Sequence, residues 1–417
     1  MDPSERILAI YVALTFLSTL AASFIWGINT LFLLDAGLSV TQAFAANAFF
    51  TGGQVLFEIP TGVVADVVGR RASYLLGAAT LFVSTLLYYG MWRLHAPFWA
   101  WALISILLGL GFTFFSGATE AWLVDGLKAT NYRGTIDSAF ARGQIATGIA
   151  MLGGTLAGGA IAQATNLGTP YLFRSAALAL TFLLAFAAMR DVGFTPRKRA
   201  SLPREVRRIL GASLEHGFRN APVRWLMLAA PFGAGVAIYA FYAMQPYLLE
   251  LYGNRSSYAT AGWAAALVAG AQIAGGYLVP SVPRLFRRRT GVLLAACVTS
   301  AIALALVGLV PRFGVVLALM GLWAVVFAAT TPVTQAFING LIPSGQRATV
   351  LSSYNLLGSA GGVVFQPALG RVAETWGYAS SYLVAAGLRI LALPFLVLAR
   401  ASRAPSDTTQ DNAAPLS

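Results

Sequence analysis

The sequence predicts an all-α membrane protein, with twelve transmembrane helices in two pseudo-symmetric six-helix bundles. Three observations predict it. The 417 residues are 58% hydrophobic and only 10% charged, where a soluble domain carries about 25% charged residues. Twelve stretches are apolar over the ~20 residues that a helix needs to cross a bilayer. The second half also repeats features of the first at one offset of 214 residues. A soluble enzyme, a nucleic-acid binder and a disordered chain all fit poorly.

The apolar stretches, spans 1 to 12, fall at about 7–33, 42–65, 72–92, 97–124, 138–164, 170–190, 223–249, 257–280, 290–310, 313–339, 347–370 and 377–399. They read as helices because a membrane barrel would alternate with period two in segments of about ten residues, and runs such as Ala303 to Val310 do not. Span 1 begins at Ile7 and is too long for a signal-peptide core, so it is expected to be retained. With the N-terminus placed in the cytoplasm, 20 of the 28 Lys and Arg fall in cytoplasmic segments and four in outer loops. The last four, Arg142, Arg174, Arg224 and Arg389, lie within spans or at their ends. That bias puts both termini in the cytoplasm. It also explains the net charge of +13 without nucleic acid.

The longest polar gap, residues 191–222, separates a bundle at 1–190 from a second at 223–400. Its segment Leu202–Phe218 reads as an amphipathic helix on the inner membrane surface, or as a flexible linker. Residues 401–417 are expected to form a disordered cytoplasmic tail. The one cysteine, Cys297, excludes an intrachain disulfide and reads as a packing residue. His95 and His216 have no companions at metal-ligand spacing, so no metal site is expected. Gly-rich runs such as Gly153-Gly154 lack the Lys-Ser/Thr of a phosphate loop. No cofactor is expected, and the energy source is expected to be a proton gradient.

At the offset of 214, Gly62 falls on Gly276, Arg70 on Arg284, Asp125-Gly126-Leu127 on Asn339-Gly340-Leu341, and Arg133 on Arg347. Both halves start inside and hold an even number of spans, so the repeats are parallel. Glu58, Asp66 and Asp125 align with Gln272, Pro280 and Asn339. Charge in lipid is costly and persists where it is used, which puts the coupling chemistry in the first half.

The segment from Gly62 through Asp66 and Gly69 to Arg70-Arg71 matches G-x-x-x-D-x-x-G-R-[KR] at every defining position. It resembles the loop 2–3 signature of the major facilitator superfamily. "FEIPTG" before it and "SGATEAWLVDGL" in span 4 resemble the bacterial drug/proton antiporter branch of that family. Span 5 keeps Gly154, Gly158 and Gly159 of the antiporter motif without its proline. The resemblance implies a latch in which Asp66 faces the N-terminal end of span 11 and Arg70 pairs with Asp125. Gly62 and Gly69 would serve tight turns or close helix approach. It also implies a central cavity lined by spans 1, 4, 7 and 10. The middles of these spans carry Phe24, Trp26 and Asn29; Phe112 and Phe115; Tyr239, Tyr242 and Gln245; and Trp323 and Phe327. Mostly aromatic and sparsely charged, such a lining suits a lipophilic substrate, or a cation held by cation–π contact; aromatics at this spacing equally serve packing.

Two acids are candidates for proton coupling. Glu58 lies two helical turns before Asp66, ~12 Å deeper. Desolvation there favours the neutral acid, and such a group exchanges a proton as water access alternates. A permanently neutral structural carboxyl is the alternative. Glu120, in the inner half of span 4, is expected to pair with Arg142 until substrate displaces the arginine, a static buried pair being the alternative. Arg389, near the middle of span 12, is expected to find a structural partner, and Arg174 to snorkel. The expected function is proton-coupled export of small lipophilic or cationic compounds by a monomer in a bacterial inner membrane. A proton-coupled importer of a nutrient such as a sugar and a non-transporting membrane scaffold are the alternatives. A membrane enzyme would need a convergent nucleophile–base pair, which the sequence does not offer.

Overall fold

In the computed structural model, residues 2–195, 206–207, 211, 213–281, 285–343 and 346–409 are described. They are helical, and among them the only β-bridge is an isolated one between Arg288 and Thr408. Among the described residues, eleven helical segments are long and apolar enough to cross a membrane. The last runs through Thr349–Ala401 and contains two crossings, because Gly377 is non-helical at φ 84° and ψ 162°. The positive φ suits glycine. Large apolar side chains face outward along the spans, including Leu183, Phe186, Ile302 and Trp376, as lipid-facing helices require.

Several spans are broken, each for a local reason. Span 1 is Pro3–Trp26 continued by Asn29–Asp35 after a turn at Gly27-Ile28. Span 4 is Phe98–Thr113 and Ala118–Ala129, divided at Gly117 with φ +68°. Span 7 passes from Ala221–Ala230 through a π-helical turn, Pro231–Gly235, into Val236–Tyr252. Span 12 stops at Ile390 and resumes at Leu393, where Pro394 has no N–H to continue the ladder. Spans 2, 3, 5 and 6 are Val40–Val67, Arg70–Leu94, Ile136–Ala164 and Thr169–Ala188. Spans 8, 9 and 10 are Tyr258–Leu278, Arg289–Leu309 and Phe313–Asn339.

The chain forms two compact units, Met1–Val206 with Tyr252–Ala266 and Arg207–Leu251 with Leu267–Ser417. The break at 206/207 falls inside the polar gap 191–222, while the start of span 8 joins the first unit because it packs on span 5. At Gly159 a Cβ would stand 2.8 Å from Gly262 Cα.

In the first unit spans 1 and 5 meet most closely. A Cβ at Gly158 would stand 1.9 Å from the Phe24 carbonyl oxygen, and one at Gly154 2.7 Å from Ser23 Cβ. The glycines of span 5 are thus packing residues. In the second unit Gly235 and Gly361 do the same for spans 7 and 11: a Cβ at Gly361 would stand 2.5 Å from the Pro231 carbonyl oxygen. In each unit a buried tyrosine hydroxyl ties the first span to the last. Tyr171 donates to Asn29 Oδ1 and Tyr239 to Ser381 Oγ, both across 142 positions.

Two expectations for the polar segments change. The tail is ordered through Thr409, with Pro405–Asp407 forming a 3-10 turn and Ser406 and Asp407 buried; 410–417 lie outside the described residues. Eight of the 17 residues of Leu202–Phe218 also lie outside them. Its described end, Ser213–Phe218, is a π-helical turn whose Ser213 Oγ bonds Ser353 Oγ.

Candidate functional site

The loop joining spans 2 and 3 carries the sequence signature. Gly69 sits at φ +132° as the residue before span 3. A Cβ there would stand 2.4 Å from Asp191 Oδ2, so glycine is needed for both conformation and space. Asp191, just past span 6, accepts the Arg71 backbone N–H at 2.9 Å. An acid at a helix start is favoured by the helix dipole. The Arg71 side chain donates to the Phe186 carbonyl at 2.8 Å. Arg70 pairs with Asp66 at 2.7 Å, and its Nε lies 4.0 Å from Asp125 Oδ2. The Arg70 guanidinium also lies over the Phe194 ring, 5.7 Å from its centroid. Arg70, Asp66 and Asp125 therefore converge, and Asp66, which the resemblance set against the start of span 11, is the closer partner of Arg70. Gly62 departs from expectation: among the described residues no atom lies within 4 Å of where its Cβ would stand. Close helix approach does not explain it.

Glu58 lies beside a helix proline and a helix break. Pro60 follows it in span 2, removing one helical donor. Opposite is the break of span 4, where Ser116 Oγ donates to Glu58 Oε1 at 2.8 Å. Thr61 Oγ1 bridges the same two spans, 3.2 Å from the Thr113 carbonyl oxygen. Glu58 is half-buried, and its side-chain partner among the described residues is a hydroxyl rather than a cation.

Glu120 and Arg142 are not brought together. Glu120 is exposed in the first turn after Gly117. Arg142 pairs instead with Glu5 at 3.6 Å, both about half exposed, because spans 1 and 5 pack directly. Such a pair contributes about 0–1 kcal/mol and does not gate Glu120. Arg174 does not snorkel: it is 3% exposed, donates to Thr85 Oγ1 at 3.0 Å and lies 5.8 Å from the Phe112 ring centroid.

The proposed cavity residues divide. In the first unit Asn29 is buried and holds Asn47 Oδ1 and the Tyr171 hydroxyl, each at 2.9 Å. Phe112 packs edge-on against Phe50, Phe115 against Tyr74, and Phe24 against Phe173. Trp26 is half-buried. Phe24, Phe112, Phe115 and Asn29 thus have partners within their own unit. In the second unit Tyr239 and Gln245 are buried; Tyr239 packs on Tyr382, and Tyr242 edge-on to Phe241.

Trp323 and Phe327 do line a cavity. Their rings stack at 5.8 Å, on the wall of a space of about 370 Å³ within the second unit. That volume is at the lower end of ligand sites, about 300–1,000 Å³. Its wall includes the π-helical turn of span 7 at Gly233-Ala234, Ser300 of span 9, Thr330, Thr331, Thr334 and Gln335 of span 10, Tyr354 and Asn355 of span 11, and Arg389 of span 12. Sequence reasoning missed the polar half of this wall. Thr330 and Thr331 sit just before Pro332 in span 10, and a run of hydroxyls at a proline was the available signal. Arg389, expected to find a structural partner, lies on the cavity wall, and among the described residues it has no carboxylate partner.

A family model described as the Major Facilitator Superfamily matches residues 11–365 and again 255–416. The nucleoside transporter NupG superposes with a TM-score of 0.75 at 15% identity, covering 95% of this chain and 99% of that one. A bacterial homologue of the human lysosomal transporter Spinster gives 0.74 at 15%, covering 98% and 99%. The POT family transporter PepTSo gives 0.73 at 12%, covering 95% and 98%. At these identities the likeness is one of fold. No curated protein sequence matches the chain.

Proposed function

The chain belongs to the Major Facilitator Superfamily, and from that membership we propose that it is a proton-coupled secondary transporter exporting a small lipophilic organic compound by alternating access. Glu58 carries the proton. The observation behind this is its setting: a half-buried acid inside a membrane span, bonded to one hydroxyl at a helix break. A carboxyl held this way can lose and regain a proton without dismantling an ion pair. Glu120 is a weaker candidate, since it stands exposed without the arginine expected beside it. Asp66, Arg70, Arg71 and Asp125, with Asp191 beneath them, form the latch that holds one state. The protein works as a monomer in a bacterial inner membrane, with both termini cytoplasmic, and needs no cofactor beyond the proton gradient. Cationic substrates are not part of the proposal, because the cavity of the second unit already carries Arg389.

The test is flux in proteoliposomes under an imposed pH gradient. Wild-type protein should move substrate against its gradient, and Glu58→Gln should retain substrate exchange while losing the response to pH. A second reading has its own support. Ser300, Thr330, Thr331, Thr334, Gln335 and Asn355 give the cavity more hydrogen-bonding groups than the aromatic lining expected from the sequence. That favours uptake of a small polar nutrient, which would show as downhill entry accompanied by acidification of the lumen.

A further inference from the structure

We propose that the cavity of the second unit is a site for a small organic monoanion, a carboxylate on an aromatic or otherwise apolar body, and that Arg389 receives the carboxylate. Arg389 lies eleven residues after Tyr378 and twelve before Ala401. At 1.5 Å per residue it is about 17 Å from either end of its span, too deep to bring its guanidinium to water along the helix. A cation at that depth is retained where it faces a wet cavity or a partner. Arg389 faces the cavity, and among the described residues no carboxylate lies within ion-pairing distance.

The surroundings are arranged around it. The helix breaks one residue beyond Arg389, and Cys297 Sγ donates to the Arg389 carbonyl oxygen at 3.4 Å. On the opposite wall Gly233 occupies the π-helical turn, and a Cβ there would stand 3.2 Å from Arg389 Nη1. Glycine keeps that approach to the guanidinium open. Among the described residues Arg389 is the one charged side chain on the wall, so a single negative charge balances it and a dianion would leave a surplus. The stacked pair Trp323 and Phe327 offers the apolar face, while Thr334, Gln335 and Asn355 supply hydrogen bonds. A guanidinium with free N–H donors binds carboxylate by paired, charge-assisted bonds.

This inference rests on the transport reading for its purpose but is tested by binding alone. Protein in nanodiscs is titrated by calorimetry with three probes of one shape and different charge: indole-3-acetate, indole-3-acetamide and tryptamine. The acetate should bind at least ~10-fold more tightly than the amide, the scale of a charge-assisted hydrogen bond, and tryptamine should bind most weakly. Arg389→Gln should erase the difference between acid and amide, and Arg389→Lys should keep part of it. Gly233→Leu leaves the charge in place and fills the space beside it, so it should weaken all three probes. Equal binding of acid and amide by the wild type overturns the proposal. So does a preference for the acid that survives in folded Arg389→Gln, or absence of acid binding by wild-type protein that elutes as one species and unfolds cooperatively. Specific acid binding without flux in any liposome assay supports the site while refuting the transport reading.

Discussion

Asp191 and Asp407 do the same job at equivalent places. Each comes just after the last span of its half and caps the start of that half's third span. Asp191 takes the Arg71 N–H; Asp407 takes the Thr290 N–H at 2.7 Å and the Thr290 hydroxyl at 2.8 Å. Neither stood out in the sequence, because the segment carrying each reads as polar linker or tail and the contact spans 120 and 117 positions. The signature residues Asp66, Gly69, Arg70 and Arg71 were legible because their spacing is local. Asp407→Ala leaves a buried N–H and a hydroxyl unpartnered, and should cost about 1–2 kcal/mol, read as a lower unfolding temperature of the second unit. Asp191→Ala should have a similar effect on the first. Ser116→Ala removes the hydroxyl held by Glu58; it should change the pH dependence of transport and leave unfolding temperature nearly unchanged, since the contact is exposed.

At the scale of elements, the twelve crossings were legible because length and hydropathy suffice for a helix in lipid, where every backbone group must be satisfied internally. The breaks were not. Pro231 is followed by a π-helical turn, while Pro60 lies inside a continuous span; a proline signals disruption without saying which geometry results. The glycines of span 5 were readable as packing residues, but their partner, span 1, emerges only in three dimensions. Gly158→Val would drive a side chain into the Phe24 carbonyl. It should cost at least ~3 kcal/mol, the upper part of the overpacking range, and show as loss of monodisperse protein on size exclusion. Gly62→Ala meets open space and should leave folding unchanged, so any loss of transport in that variant belongs to the conformational cycle rather than to packing.

For the whole molecule, the parallel repeat is visible in the caps and in the tyrosine ties between first and last spans, yet the two halves diverge in chemistry. The first holds the intramembrane acid at Glu58, which aligns with Gln272 in the second. The second holds Arg389 and the described cavity. This division was half legible: loss of acids from the second half could be read by alignment, whereas an arginine facing space rather than a partner could not. In the proposed function, proton and substrate are separated, one unit for each. Its central claim is that Glu58 couples the proton, and the most direct measurement is uptake and efflux in proteoliposomes with and without an imposed pH gradient, comparing wild type with Glu58→Gln. The account predicts gradient-driven accumulation in the wild type, and in Glu58→Gln exchange that continues at a rate within a few-fold while accumulation disappears. Gradient-driven accumulation that persists undiminished in Glu58→Gln would contradict it.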